Sequence, residues 1–159
     1  MDLSEIDDDE LVGIYPKLLK ELKKREIIRT NNLVGELGKF IVMQTFEKRP
    51  ELPTLYPAAN SQKNYSFRDA HGSRFNVKTT SGTNTGVFHS VPLDDSGEQS
   101  FEYLIVLKFS KSYEPTLGLL CDWQDFVRYR QIKNPEGKWY LQLSPDFIGS
   151  ATRFEPFTV

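Results

Sequence analysis

The stretch Arg74-Phe75-Asn76-Val77-Lys78 carries an amide and an ammonium group two residues apart. Between them these groups can donate hydrogen bonds to a bound ligand and accept them. On an extended chain a spacing of two sends both side chains to one face. The preceding stretch, Tyr65 to Asp69, reaches this one through Ala70, His71 and Gly72. A three-residue loop with Gly72 in the left-handed conformation pairs Asp69 with Ser73, which sets Ser66 opposite Asn76 and Asn64 opposite Lys78. One face of the hairpin then carries Asn64, Ser66, Arg68, Arg74, Asn76 and Lys78. The other carries Tyr65, Phe67, Phe75 and Val77 and belongs on a core. The polar face is either an ordinary solvated sheet surface or a site, and Lys78 at its centre either meets a ligand or snorkels to water.

Thr79, Thr80, Ser81, Thr83, Asn84 and Thr85 follow directly and form a hydroxyl-rich loop suited to phosphate hydrogen bonds. Glu36 is the other residue of interest. As a first-turn acid it favours a helix N-terminus, yet the helical wheel sets it beside Phe40 and Met43, on the edge of an apolar stripe. Asp69 shares parity with Phe67 at the hairpin end, so only a shifted register brings it to the polar face. His71, His89 and Cys121 show no metal-ligand spacing.

Several elements must position these groups. Leu11, Tyr15, Leu18, Leu19 and Leu22 recur at three- and four-residue spacing and predict a helix from about Asp9 to Glu26, with Pro16 inside it or at its true first turn. Asn31 and Asn32 are N-cap types before a second helix whose stripe is Leu33, Val34, Leu37, Phe40 and Ile41. Pro50, Pro53 and Pro57 mark an irregular connection. After the hairpin come a short strand over Val87 to Val91, a polar loop over Asp94 to Gly97, and the apolar run Phe101 to Phe109, which suits a strand covered on both faces. Leu117 to Cys121 reads as a strand, Asp122 as the cap of a helix through about Ile132, and Lys138 to Leu143 as the last strand. This order implies an α/β or α+β sandwich on a mixed sheet.

At 159 residues one core is expected, built from a generous 13% of aromatic residues. Cys121 is the lone cysteine, which favours a reducing cytoplasm, and no run approaches ~18 apolar residues, so a cytoplasmic protein is expected. The net charge of −2 hides a segregation. Residues 1–10 carry six acids and no base, residues 11–78 hold 13 bases against 6 acids, and residues 79–159 hold 7 against 10. The basic middle is either a polyanion-binding face or, around Lys17, Lys20, Lys23 and Lys24, the solvated side of a helix.

The runs GELGKFIVMQTF and NYSFRDAHGSRFNVKTTS resemble small bacterial members of the PD-(D/E)XK nuclease superfamily, the group that includes many type II restriction endonucleases. The resemblance covers about residues 27–110 and implies a restriction-endonuclease-like core, a mixed central sheet flanked by helices, as one domain over 11–159 behind an acidic tail of residues 1–10. It implies a catalytic set of Glu36, Ser66, Asn76 and Lys78, with a weakly held Mg²⁺ on Glu36 and Asn76. DNA contacts would come from Lys63, Arg68, Arg74, Thr79, Thr80 and Thr83. Two positions depart from the pattern: Ser66 stands where the superfamily has an Asp, and Asn76 where it has Glu or Gln. A neutral hydroxyl is a poor Mg²⁺ ligand. The implied function is a nuclease-fold protein that binds or acts on DNA through an atypical Mg²⁺-dependent endodeoxyribonuclease site that is partly disarmed. A homodimer is compatible with this. The alternative is a protein-interaction module, an inhibitor or subunit in a restriction or phage-defence system.

Overall fold

The structure is a computed structural model that describes residues 2–94 and 98–158. After a 3-10 turn at Leu3–Glu5, the Asp7 carboxylate accepts from the Glu10 N–H at 2.8 Å and starts α1, Asp8–Lys24. The helix runs through Pro16 and stops where Glu26 turns to φ 57°, a left-handed conformation that breaks the helical repeat. The acids Asp8, Asp9 and Glu10 thus form the first turn of α1, where they favour the positive end of its dipole. Asn32 caps α2, Leu33–Glu47, by accepting from the Gly35 N–H at 3.2 Å.

The main sheet contains β1 (Tyr56–Pro57), β2 (Phe67–Arg68), β3 (Arg74–Thr80), β4 (Tyr103–Phe109), β5 (Pro115–Asp122) and β8 (Thr152–Phe154), in the order β1-β2-β3-β4-β5-β8. β3 and β4 run parallel and their other neighbours antiparallel. Between β5 and β8 the chain forms α3 (Trp123–Tyr129), a ribbon of β6 (Arg130–Lys133) and β7 (Lys138–Leu141), and α4 (Pro145–Ser150). This is a mixed α/β architecture, as the element order in the sequence implies.

β4 explains why the apolar run is continuous. Leu104 and Val106 enter one core layer with Phe88, Phe101, Phe126 and Phe147, while Ile105, Leu107 and Phe109 enter another with Val42, Phe46, Phe67, Phe75 and Val77. The second layer is the one that α2 covers. Gly38 allows the approach: a Cβ there would lie 2.1 Å from Thr79 Cγ2, so α2 meets β3 at a point with no room for a side chain.

Four expected elements differ. The first hairpin arm, read as Tyr65 to Asp69, pairs with β3 as a strand only over Phe67–Arg68. Val87 to Val91 is no strand; the chain crosses the Leu104/Val106 face there and touches the ribbon through a single bridge between Phe88 and Trp139. The helix capped by Asp122 ends at Tyr129, because Arg130 turns extended at ψ 145° and opens β6. β7 joins β6 rather than the main sheet, and the end of the chain supplies α4 and the outer strand β8. Of the loop read over 94–97, residues 95–97 lie outside the described residues.

Candidate functional site

The hairpin register is the one that alternation dictates. Phe67 stands opposite Phe75 and Arg68 opposite Arg74. Gly72 has φ 83°, and Asp69 Oδ1 accepts from the backbone N–H groups of both His71 and Ser73 at 2.9 Å. Asp69 therefore closes the turn, and His71 is exposed within it.

β2 begins only at Phe67, and this creates the cavity. Beyond Phe75 the outer edge of β3 has no strand beside it. Ser66 replaces the missing ladder in part, its Oγ accepting from the Val77 N–H at 3.3 Å, and the Asn76 amide donates to Asn64 O at 3.2 Å. The edge opens into a hollow of about 670 Å³ lined by Ser66, Asn76, Lys78, Thr79, Thr80, Lys39, Lys63 and His89, with the first turn of α2 on one side. Among the described residues lining it there is no carboxylate.

Lys78 points away from the Phe67 layer. Its Nζ donates to Val87 O at 2.8 Å and lies 4.6 Å from the centre of the Phe88 ring. Burial first, and then the nearby Lys39 charge, push its pKa down from 10.5 to about 8. The group therefore titrates close to neutrality and gains by an approaching anion.

Glu36 lies elsewhere. α2 packs on the Phe75/Val77 side of the sheet, and Glu36 lines a neighbouring hollow of about 320 Å³ with Arg25, Arg29, Phe40, Met43 and Phe67. Its side chain is 4% exposed. One carboxylate oxygen accepts from Lys39 Nζ at 2.9 Å; the other accepts from the Arg29 N–H at 2.7 Å, with Arg29 Nε at 3.9 Å. Burial favours the neutral acid, but the Lys39 hydrogen bond, the Arg29 N–H and the two cationic charges together outweigh it and hold the carboxyl below its ordinary 4.5. Lys39 borders both hollows. Sequence reading passed over it, although its i,i+3 spacing from Glu36 on one helix is a legible ion-pair signal.

The residues read as DNA contacts divide into two groups. Lys63, Thr79 and Thr80 line the cavity. Arg68 stacks on the Tyr65 ring, its Nε donating to the Tyr65 hydroxyl at 2.9 Å, and is exposed. Arg74 forms a two-pronged pair with Glu102, Nη2 to Oε1 at 2.8 Å and Nε to Oε2 at 3.1 Å, so its charge is already matched. Thr83 is exposed in the loop, held by its carbonyl, which accepts from the Leu143 N–H at 2.7 Å. Of the loop hydroxyls, Thr80 Oγ1 donates to Asn84 O at 2.6 Å, and Thr85 is buried with its Oγ1 accepting from the Leu141 N–H. Cys121 is buried in the core, and burial and nearby Asp125 push its thiol up to about 12, so it is no nucleophile at neutral pH.

The donor set does not fit Mg²⁺, which takes hard oxygens and usually a carboxylate or two. Glu36 is engaged by Lys39 and Arg29 and lines a different hollow from Asn76, Ser66 Oγ is a neutral acceptor already engaged, and ammonium groups share the cavity with Asn76. Among the described residues no group of three His, Cys, Asp or Glu is placed to hold a metal ion.

Fold and site together define a mixed α/β protein with a cationic cavity on the open edge of a sheet strand. No protein-family model matches the chain, and no curated protein matches it. Among the described residues no helix is long and apolar enough to cross a membrane.

Proposed function

We propose that the chain binds nucleic acid, DNA in the first instance, through phosphate contacts in the cavity beside β3, and that it is a nuclease-fold protein that has kept binding and lost metal-dependent cleavage. The observation that carries this reading is the combination of Lys39, Lys63 and Lys78 with hydroxyl and amide donors in a hollow lined by no carboxylate among the described residues. Such a lining favours a phosphodiester and disfavours a cation. The resemblance to the PD-(D/E)XK superfamily adds the same class of ligand.

Three phosphate contacts would give a log-log salt slope of about −2.7, so affinity for duplex DNA is expected to fall roughly 40-fold between 50 and 200 mM salt. Binding isotherms at those two concentrations measure it. A flat profile removes the reading, and efficient Mg²⁺- or Mn²⁺-dependent cleavage by the natural sequence removes its second half.

Restoring carboxylates supplies a second check. Ser66→Asp with Asn76→Glu brings two hard ligands to one sheet face beside Lys78. Mn²⁺ is then expected to raise the melting temperature of the double variant by several degrees and to leave the natural sequence unmoved, as binding to the folded state alone stabilises by mass action. Equal stabilisation of both proteins would show that the natural donor set does hold the metal.

A further inference from the structure

Tyr113 stands open in the turn between β4 and β5. It is 66% exposed, and its backbone lies at φ 61°, a conformation that a bulky aromatic residue rarely adopts. The turn imposes it: Tyr113 N–H donates to Ser110 O at 3.1 Å, Ser110 N–H donates to Glu114 O at 2.8 Å, and Ser110 Oγ accepts from the N–H groups of Ser112 and Glu114 at 3.1 and 3.2 Å. Among the described residues the Tyr113 ring meets no other ring and its hydroxyl has no hydrogen-bond partner. A strained backbone that holds an open aromatic ring in one place is the kind of outlier found at ligand contacts.

The surroundings of the ring say which ligand. On one side Tyr113 borders the cationic cavity beside β3. On the other it borders a hollow of about 650 Å³ lined by Leu37, Phe40, Ile41, Pro115 and Phe157, where Glu114 is the one charged residue among those described. The first side suits a phosphate, while the second suits an apolar plane and, through Glu114, disfavours an anion. An unpaired nucleotide has these two ends. In a duplex the base faces are already covered by one another, so the Tyr113 ring gains nothing from it. The cavity lining holds a second ring, Tyr65, over which Arg68 lies with its guanidinium 4.9 Å from the ring centre, and the exposed guanidinium plane offers a further stacking surface. Shape agrees with this, since Lys78 is half-buried inside the cavity, within reach of a narrow, flexible strand, whereas the broad cylinder of a duplex meets only the rim.

We propose that the cavity takes single-stranded rather than duplex DNA, with backbone phosphates against the lysines and an unpaired base stacked on Tyr113. The inference rests on the phosphate reading of the cavity and adds the form of the nucleic acid. Tyr113 is then a specificity-determining residue, selecting unpaired strands with little regard to sequence, because every base has a π-face to stack.

Binding isotherms at about 50 mM salt test it with three probes of about 12 nucleotides in length: oligothymidine, the same strand made abasic throughout, and a duplex. Oligothymidine is expected to bind about tenfold more tightly than either of the others. Tyr113→Gly, which relieves the turn and removes the ring, is expected to erase that margin, and Tyr113→Trp to keep it. Both changes fall at an exposed position, and thermal unfolding of each variant reports that the fold is kept. If no probe binds in a salt-sensitive way, the phosphate reading itself falls. If the abasic strand or the duplex binds as tightly as oligothymidine, or if Tyr113→Gly keeps the margin, the single-strand inference is overturned while the phosphate reading stands.

Discussion

Glu36→Ala is expected to lower the unfolding free energy at neutral pH by about 2 kcal/mol, since truncating a buried carboxylate takes the acceptor from two partly buried donors. Two donors lose their acceptor: Lys39 Nζ and the Arg29 N–H. The exposed Glu47, on the same helix, serves as the control, and Glu47→Ala should move stability by less than about 0.5 kcal/mol. Comparison of the natural chain with Glu36→Gln tests the charge itself. The folded pKa of Glu36 lies below its ordinary 4.5, so its stabilisation is present in full above that value and is lost as pH falls through the folded pKa. The gap between the two proteins should therefore narrow on acidification, as read by denaturant unfolding at a series of pH values. A Glu36→Ala protein as stable as the natural chain would mean that the carboxylate is not committed to Lys39 and Arg29 and stands free for other chemistry. The same variant bears on function, because it releases Lys39 beside the cavity. DNA affinity of the folded variant should hold or rise, whereas a metal-bearing Glu36 would make it an inactivating change.

How the two hollows came to be separate shows what a sequence can and cannot disclose here. The hairpin register was legible because Gly72 and the alternation of Phe67, Phe75 and Val77 admit one pairing. Phe101 to Phe109 was legible because a strand covered on both faces needs no polar alternation. The side of the sheet on which α2 sits was less accessible. Its stripe is matched by Phe75 and Val77, yet the short-motif pattern set Glu36 with Lys78, whose side chain leaves the opposite face. The partner of Arg74 was not legible at all, since Glu102 lies 28 residues away and meets it only because β3 and β4 run parallel. β8 has three residues and no periodicity, and its place beside β5 depends on Gly118 leaving room for the Phe154 ring, a tertiary fit that local sequence does not encode. Asp122 is legible as a cap, but the end of its helix is set by the ribbon that Arg130 enters, and no stop signal precedes that residue.

Lys78→Met is expected to separate binding from stability in opposite directions. The folded state pushes the Lys78 pKa down to about 8 from 10.5, so below pH 8 the fold carries the full penalty of a charged, half-buried ammonium. That penalty falls away between 8 and 10.5, where the unfolded chain still binds the proton and the folded chain does not, and stability rises with pH across this window. Removing the charge should therefore stabilise the protein at neutral pH by on the order of 2 kcal/mol, partly offset by loss of the bond to Val87 O. DNA affinity should move the other way and drop about tenfold, because one of the cavity's three ammonium groups has gone. The natural chain should reproduce that loss without mutation as pH is raised from about 7 to 9, since Lys78 gives up its proton over this range and its phosphate partner with it. Lys78→Arg, which keeps its charge throughout, should bind with an affinity that is flat over the same range. If Lys78→Arg instead loses affinity as steeply as the natural chain, the titrating group lies elsewhere and the cavity floor is not where phosphate sits. If Lys78→Met binds DNA as well as the natural chain while gaining stability, the buried lysine is a packing feature and the binding surface must be sought on the exposed arginines such as Arg68.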